Sequence, residues 1–402
     1  MGRMNRNRIL LVVLAVGAAF LIFNPFRGSK APINRLPSAN LDTVALLASY
    51  VERHYLTPEN YIIKTFDNHQ IVFLGEPGRI KQNVDLVRRI IPNLYRHGVR
   101  NLGIEYALSR DQQEIDRLTT APVYDQALAN KLLFDYLVVW GFRQYADIFK
   151  AAWAFNRTLP KGDPPFRIVG LGVAQDWQFL KTKADAQNPR VLHEVLSNGI
   201  PDQHMANIIE RKFIATNSKA LIFVSTASAF TAYINTAYAE TMQKMGFNET
   251  ERAGNIVHDM IGAKSFTILF HQLWPAKDNS HSDYPVGGLV DRVIKRLPAS
   301  ERNAGFNIDG TPFAELPITT SAFASGHRHL TFGQLTNGYI IQGPIADYSA
   351  VAPIPNFITP ANLETALADF PGPKPGKVSA YNLNSYIRNS LTNLGSYLHS
   401  FE

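Results

Sequence analysis

The chain has 402 residues, 46% hydrophobic and 18% charged, which supports a sizeable core and excludes a disordered or collagen-like protein. Six of the 40 basic residues precede the first acidic residue, Asp42, so the rest carries 34 basic against 33 acidic groups and is nearly neutral. We therefore expect no nucleic-acid partner. The absence of cysteine excludes disulfides, thiolate metal sites, cysteine nucleophiles and a lipoprotein anchor.

The N-terminus predicts a membrane-targeting segment. Arg3, Arg6 and Arg8 precede an apolar run from Ile9 to Phe23. As a helix this run spans about 22 Å, short of the ~30 Å hydrocarbon core, so its length fits a signal anchor or a signal peptide. Cleavage near Ala18 would leave apolar residues on the mature chain, which favours an uncleaved anchor. The positive-inside rule then predicts a single-pass protein of the bacterial inner membrane with a periplasmic or extracellular domain.

The sequence divides into three parts, which are a membrane-targeting segment, a linker and a domain. We assign residues 1–26 to the anchor or signal peptide and residues 27–40, which contain Pro, Gly and Ser, to a linker. Residues 41–402 are expected to form one α/β domain with its core at about 60–345, and the Pro- and Gly-rich part at about 298–375 is expected to be irregular.

Short apolar runs alternate with longer segments of helical period along the domain. Strands buried on both faces and separated by helices imply right-handed crossovers and a mainly parallel central sheet flanked by helices. The predicted strands are Gln70 to Gly75, Asn101 to Glu105, Arg167 to Gly172, Ala220 to Ser225, Ser265 to His271 and Gly338 to Gln342. Predicted helices cover Leu41 to Tyr55, Ile80 to Tyr95 and about 123–138, 142–157, 229–245, 250–262 and 285–297.

Two further helix starts are predicted from capping residues. Ser109 and Gln112 have the spacing of a capping box, and Asp202 is placed to cap a helix running to about Ala215. His204, in the first turn of that second helix, is expected to be structural.

Acidic residues end the first two predicted strands. Because ligands collect beyond the carboxyl ends of parallel strands, we expect Glu76 and Glu105 to emerge side by side at one rim and to share a cleft. Mutual repulsion and partial burial would raise one pKa toward neutrality, which suits general base work. Alternatively, Glu76 caps the next helix and Glu105 is bridged to Arg79 or Arg110.

The amino-acid sequences of three segments resemble those of a known superfamily. They are HQIVFLGEPGRIKQNVDLVRRIIPNLYRHGVRNLGIEYA, DQHMANIIERKF and ALIFVSTASAFTAY. Over about residues 60–345 the chain resembles the superfamily that joins erythromycin-esterase-like hydrolases, ChaN-like haem-binding lipoproteins and Tiki-type proteases. This resemblance implies an α/β sheet with two acids and two histidines at the strand ends. Glu76 and Glu105 match the acids.

The histidines do not match the family pattern. The first turn reads Gly75-Glu76-Pro77-Gly78 and the later turn Ser225-Thr226-Ala227-Ser228. One hypothesis is therefore a hydrolase in which Glu76 and Glu105 activate water, Arg79 stabilises the oxyanion, and His327 or His329 replaces a lost imidazole.

Two alternatives remain open. The domain is a catalytically degenerate binding protein for a small-molecule ligand, or it binds haem or iron through Tyr106 or His329, as the ChaN-like branch would imply. His327 and His329 are expected either to lie on one side of an extended segment, as a metal site requires, or to be an exposed loop pair. Neither the sequence nor the resemblance fixes the cofactor.

Overall fold

The computed structural model describes residues 36–278, 281–373 and 378–401. In chain order its elements up to the fourth strand are α1 (Leu41–Arg53), α2 (Pro58–Thr65), β1 (Ile71–Glu76), α3 (Lys81–Arg96), β2 (Asn101–Leu108), α4 (Gln112–Thr120), α5 (Gln126–Tyr136), α6 (Arg143–Asn156), β3 (Arg167–Gly172), α7 (Pro189–Val195), α8 (Pro201–Ile209) and β4 (Ala220–Ser225).

The remaining elements complete the sheet and its cover. They are α9 (Thr226–Ala229), α10 (Thr236–Lys244), α11 (Ala253–Ile261), β5 (Ser265–Phe270), β6 (Trp274–Pro275), β7 (Ser282–Asp283), α12 (Leu289–Arg296), β8 (Asn303–Asn307), β9 (Pro317–Ile318), β10 (Leu330–Thr331), α13 (Phe332–Leu335), β11 (Gly338–Gln342), α14 (Leu363–Ala368) and α15 (Ala380–Leu398).

A seven-stranded sheet forms the centre of the domain, in the order β3-β2-β4-β1-β5-β11-β8. The first six strands pair in parallel, and β8 pairs antiparallel with β11 at one edge. All six predicted strands are present, and the predicted α/β fold with a mainly parallel sheet is confirmed. The strand β8 was not predicted, because it lies in the part of the chain expected to be irregular.

Helices cover both faces of the sheet. On one face, which we call the α6 face, Val72, Leu74 and Ile104 pack with residues of α3 and α6. On the other, the α8 face, Ile71 and Phe73 pack with residues of α8 and α11. Burial on both faces explains why the strands read as continuous apolar runs rather than as alternating ones.

Both capping predictions are wrong, because the side chains have partners elsewhere. The Ser109 hydroxyl contacts His204 rather than capping α4, which is preceded by a 3₁₀ turn at Ser109–Asp111. Asp202 forms a buried ion pair with Arg252 at 2.6 Å and accepts the Ala253 N–H at 3.0 Å, so it serves the start of α11.

The predicted anchor run, with the rest of residues 1–35, lies outside the described residues. Among those that are described, no helix has the length and apolar character needed to cross a bilayer. The chain enters the domain against α12, where the Arg292 guanidinium donates to the carbonyls of Leu36 and Pro37 at 3.1 and 2.6 Å.

Candidate functional site

Glu76 ends β1 and is fully buried on the α6 face. The Tyr145 hydroxyl donates to its Oε1 at 2.5 Å. Burial raises the pKa of Glu76 to about 8, while hydrogen bonds from Tyr145 and Tyr106 lower it, and the charge of Glu105 adds a smaller increase. The carboxyl is therefore mainly protonated at neutral pH, because desolvation disfavours its charged form.

Arg79 lies in the turn that follows β1. Its φ of +67° follows a φ of +86° at Gly78, and its amide donates to the Tyr145 hydroxyl at 2.8 Å. The side chain is buried, and desolvation lowers the pKa of the guanidinium against the opposing influence of Tyr145, Tyr386 and Glu76. The structure thus brings Arg79 close to Glu76, as the sequence predicts, but in a packed interior.

Tyr106 belongs to the same interior. Its ring stacks on Trp140 at 5.0 Å between centroids, and it is 4% exposed. Burial raises the pKa of its hydroxyl well above the usual value, and the neighbouring Glu76 adds to this effect. A haem iron would reach this hydroxyl only after the packing opened.

Glu105 lies on β2 and faces a different environment. Its Oε2 accepts the Ser225 N–H at 2.7 Å. Burial raises the pKa of Glu105 to about 7, while the Ser225 amide lowers it. Asp202 and Arg252 are close enough for their charges to act on it in opposite directions. Both Glu76 and Glu105 have raised pKa values. Of the two causes expected from the sequence, burial is the larger, and the repulsion from Glu105 adds only a smaller increase to the pKa of Glu76.

The expectation of a cleft shared by the two acids is wrong. Leu74 of β1 and Ile104 of β2 both stand level with Phe223 of the intervening β4, so they point to the same face. Glu76 follows Leu74 by two residues and keeps that face, whereas Glu105 follows Ile104 by one and points to the other. The two carboxyls therefore leave the sheet on opposite faces, from strands about 10 Å apart.

A pocket opens beside Glu105 at the carboxyl edge of the sheet. Its cavity volume is about 30 Å³, and it opens to solvent at its mouth. The walls come from the end of α5, the loop after β3 and the start of α8. The lining residues are Glu105, Tyr136, Leu137, Gly172, Val173, Gln175, Trp177, Pro201 and Met205.

Two glycines of β3 explain how the pocket floor forms. β2 bulges after Ile104, so its backbone comes unusually close to β3. A Cβ on Gly172 would lie 2.7 Å from the Glu105 carbonyl oxygen, and one on Gly170 would lie 2.6 Å from that of Leu108. The two glycines therefore permit close packing of the two backbones. This packing is a structural reason for the segment Gly170-Leu171-Gly172, which does not match a dinucleotide-binding motif.

His327 and His329 lie apart from these groups. His327 Nε2 is 3.0 Å from the Ile234 carbonyl, and its ring lies 5.2 Å from that of Tyr233. His329 is exposed, and the segment turns at Ser325–Gly326 instead of running extended. Within the described ranges, no group of three His, Asp or Glu side chains could hold a metal ion. The hydrogen-bond partners of Glu76 and Glu105 in the same ranges include no histidine.

Sequence reasoning missed two histidine contacts. His271, directly after β5, is fully buried, with Nε2 at 3.1 Å from Asp291 Oδ1 and Nδ1 at 3.2 Å from the Tyr339 hydroxyl. His204 Nε2 lies 2.7 Å from Ser109 Oγ. The available signal for His271 was a polar residue at the end of the predicted strand Ser265 to His271. Ser109 lies four residues beyond the predicted strand Asn101 to Glu105, and the partners of both residues are distant in sequence.

Three solved structures resemble parts of the chain. A Bacillus cereus protein shares 12% identity over 75% of this chain and 97% of its own, with a TM-score of 0.45. A succinoglycan biosynthesis protein shares 12% identity over 58% and 76%, with a TM-score of 0.41. The type III effector HopBA1 shares 13% over 53% and 82%, with a TM-score of 0.35. No protein-family model and no curated protein matches the sequence.

Likenesses this distant carry no conclusion about function. The class that the structure itself establishes is an α/β protein with a mainly parallel sheet. The resemblance to the erythromycin-esterase-like superfamily stays a prediction.

Proposed function

We propose that the domain binds a small, largely apolar molecule in the Glu105 pocket. The observation that carries this proposal is a pocket with aromatic and aliphatic walls around one ionisable carboxyl. Tyr136, Leu137, Trp177 and Met205 supply the apolar surface, and Glu105 supplies the polar anchor. Ligand pockets commonly combine such walls with a few polar groups that fix orientation.

The chemistry of Glu105 indicates what the ligand carries. With a pKa of about 7, the carboxyl is present in both protonation states near neutral pH. The Ser225 amide already occupies one lone pair of Oε2. A ligand N–H or O–H group that donates to the carboxyl would favour the ionised form and would gain a charge-assisted hydrogen bond. We therefore propose a ligand with an apolar body and at least one hydrogen-bond donor.

Binding is better supported than water activation by the two acids. Glu76 is buried away from the pocket and is mainly protonated, so it is a poor base at neutral pH. Glu105 lies on the opposite face and has no imidazole among its described hydrogen-bond partners. Of the three hypotheses left open by the sequence, the small-molecule-binding domain fits this arrangement without further groups.

Indole, which has an apolar ring system and one N–H donor, is a suitable probe. We expect the full chain to bind indole in a saturation-transfer NMR titration. Val173→Trp should weaken this binding by at least about tenfold, or about 1.4 kcal/mol, because the larger side chain fills the pocket that Val173 lines.

The matched control is Val123→Trp, the same substitution at a residue that is 77% exposed. It should leave the dissociation constant unchanged. Equal affinity in wild type and Val173→Trp would place the probe outside this pocket and remove the proposal.

We propose in addition that residues 9–23 tether the domain to the inner membrane of a bacterium, with the domain on the periplasmic or extracellular side. The arginines before the run and the apolar run itself support this. Alkaline carbonate should leave the chain in the membrane fraction, and protease added to spheroplasts should digest the domain. Release by carbonate, or protection in intact spheroplasts, would contradict the tether or its orientation.

A further inference from the structure

Ser109 and His204 lie in hydrogen-bond contact next to the pocket. The Oγ–Nε2 distance is 2.7 Å, and both residues are half-buried rather than enclosed. Ser109 directly follows β2 at the carboxyl edge of the sheet, and His204 lies in the first turn of α8. A hydroxyl within 2.6–3.2 Å of an imidazole is the geometry of an activated nucleophile and its base.

The state of the imidazole allows it to accept a proton. Burial lowers the pKa of His204, and the positive charge of Arg211 lowers it further. The ring is therefore neutral at pH 7 and has one nitrogen with a free lone pair. In the described ranges the Ser109 hydroxyl has no carbonyl acceptor, unlike Ser265, whose hydroxyl donates to the Gly262 carbonyl although His258 lies 2.8 Å away.

The pair adjoins the pocket through both of its elements. Leu108, the residue before Ser109, is aligned with Gly172 of the pocket floor. Pro201 and Met205, which flank His204 on α8, both line the pocket. The pair therefore lies at the edge of the pocket, beside its lining residues.

We propose that Ser109 and His204 form a nucleophile and general base that hydrolyse small uncharged esters. The Ser109 Oγ forms a bond to the ester carbonyl carbon while His204 Nε2 takes the hydroxyl proton. The carbon–alkoxide bond then breaks, and the alcohol leaves with the proton from His204. Water adds to the acyl-serine with His204 again as base, which releases the acid and restores Ser109.

This inference adds an activity to the proposed binding function. It uses the pocket walls only to hold the apolar part of the ester, and it assigns no step to Glu76 or Glu105. The substrate class follows from the walls, which are apolar, and from the nearly neutral charge of the domain.

A fluorophosphonate probe tests the pair without knowledge of the ester. In the folded full chain, attack by Ser109 forms an O–P bond and breaks the P–F bond, and the proton leaves through His204 with fluoride. We expect one adduct per chain, mapped to Ser109 by peptide mass spectrometry. His204→Gln should slow labelling by about 100-fold or more, which is the usual loss of a general base. Ser109→Ala should abolish the adduct.

His258→Gln is the matched control, because it removes the imidazole from a serine whose proton is held by a carbonyl. It should leave labelling at Ser109 unchanged, with no adduct on Ser265 in any variant. Thermal melts show whether each variant is folded. Absence of an adduct on wild-type Ser109, or equal labelling rates in folded wild type and His204→Gln, would overturn the inference. Indole binding is measured separately. Binding of indole without labelling of Ser109 would overturn the proposed hydrolase activity and leave the proposed binding function standing.

Discussion

Glu76→Gln tests the buried acid on the α6 face. The pKa of Glu76 is about 8 in the folded chain against 4.5 as the ordinary value. Below pH 4.5 the Glu76 carboxyl is protonated in both the folded and the unfolded chain, so its burial does not lower the free energy of unfolding. As pH rises toward 8, the unfolded chain releases this proton while the folded chain keeps it, so the free energy of unfolding falls. At about 1.4 kcal/mol per pH unit, the full cost is about 5 kcal/mol above pH 8.

Glutamine is neutral at every pH and escapes this cost. The free energy of unfolding of Glu76→Gln, minus that of wild type, should therefore rise by about 5 kcal/mol between pH 4.5 and 8. At the acidic end the variant should be about 1 kcal/mol less stable, because the amide fits the Tyr145 hydrogen bond less well. Urea titrations of the full chain at several pH values measure the difference directly.

Glu114→Gln is the control for this series. The Glu114 side chain is 49% exposed and paired with Arg117 at the surface. Its difference from wild type should stay within about 0.5 kcal/mol at every pH. A flat difference for Glu76→Gln as well would mean that Glu76 ionises with an ordinary pKa, and it would refute the argument from burial. Indole binding should be unchanged in Glu76→Gln, since this residue is not in the pocket.

Two further substitutions probe the pocket floor and the buried ion pair of α8. Gly172→Ala should destabilise the fold by about 1–3 kcal/mol in urea titrations and weaken indole binding, because the new Cβ would lie 2.7 Å from the Glu105 carbonyl oxygen. Unchanged stability and binding would contradict the close packing of β2 and β3 at the pocket floor. Asp202→Ala should lower the free energy of unfolding by about 3–5 kcal/mol, since it removes the carboxylate partner of the buried Arg252 and the acceptor of the Ala253 amide. A loss below about 1 kcal/mol would show that the fold does not depend on this ion pair.

The strands were predictable because each is a short apolar run bounded by polar residues. The faces of the two acids were not. In QIVFLGE and NLGIEYA nearly every residue is buried, so no alternation of polar and apolar residues reveals which side chains share a face. A shift of one residue reverses the face, and this is the difference between Glu76 after Leu74 and Glu105 after Ile104.

Local motifs failed where a tertiary partner took the side chain. Ser109 has the spacing of a capping box, but its hydroxyl contacts His204, 95 residues away. Asp202 resembles a helix cap, but its carboxylate is held by Arg252, 50 residues away. Such contacts depend on how α8, α11 and the end of β2 pack together, and no short window of sequence contains that information.

A crystal structure of the full chain with bound indole would test the binding account most directly. The account predicts electron density for the ring between Trp177 and Met205, with its N–H directed to the Glu105 carboxyl and with Glu76 still enclosed by Tyr145 and Tyr106. Indole bound against Glu76, or an empty Glu105 pocket at saturating indole, would contradict it.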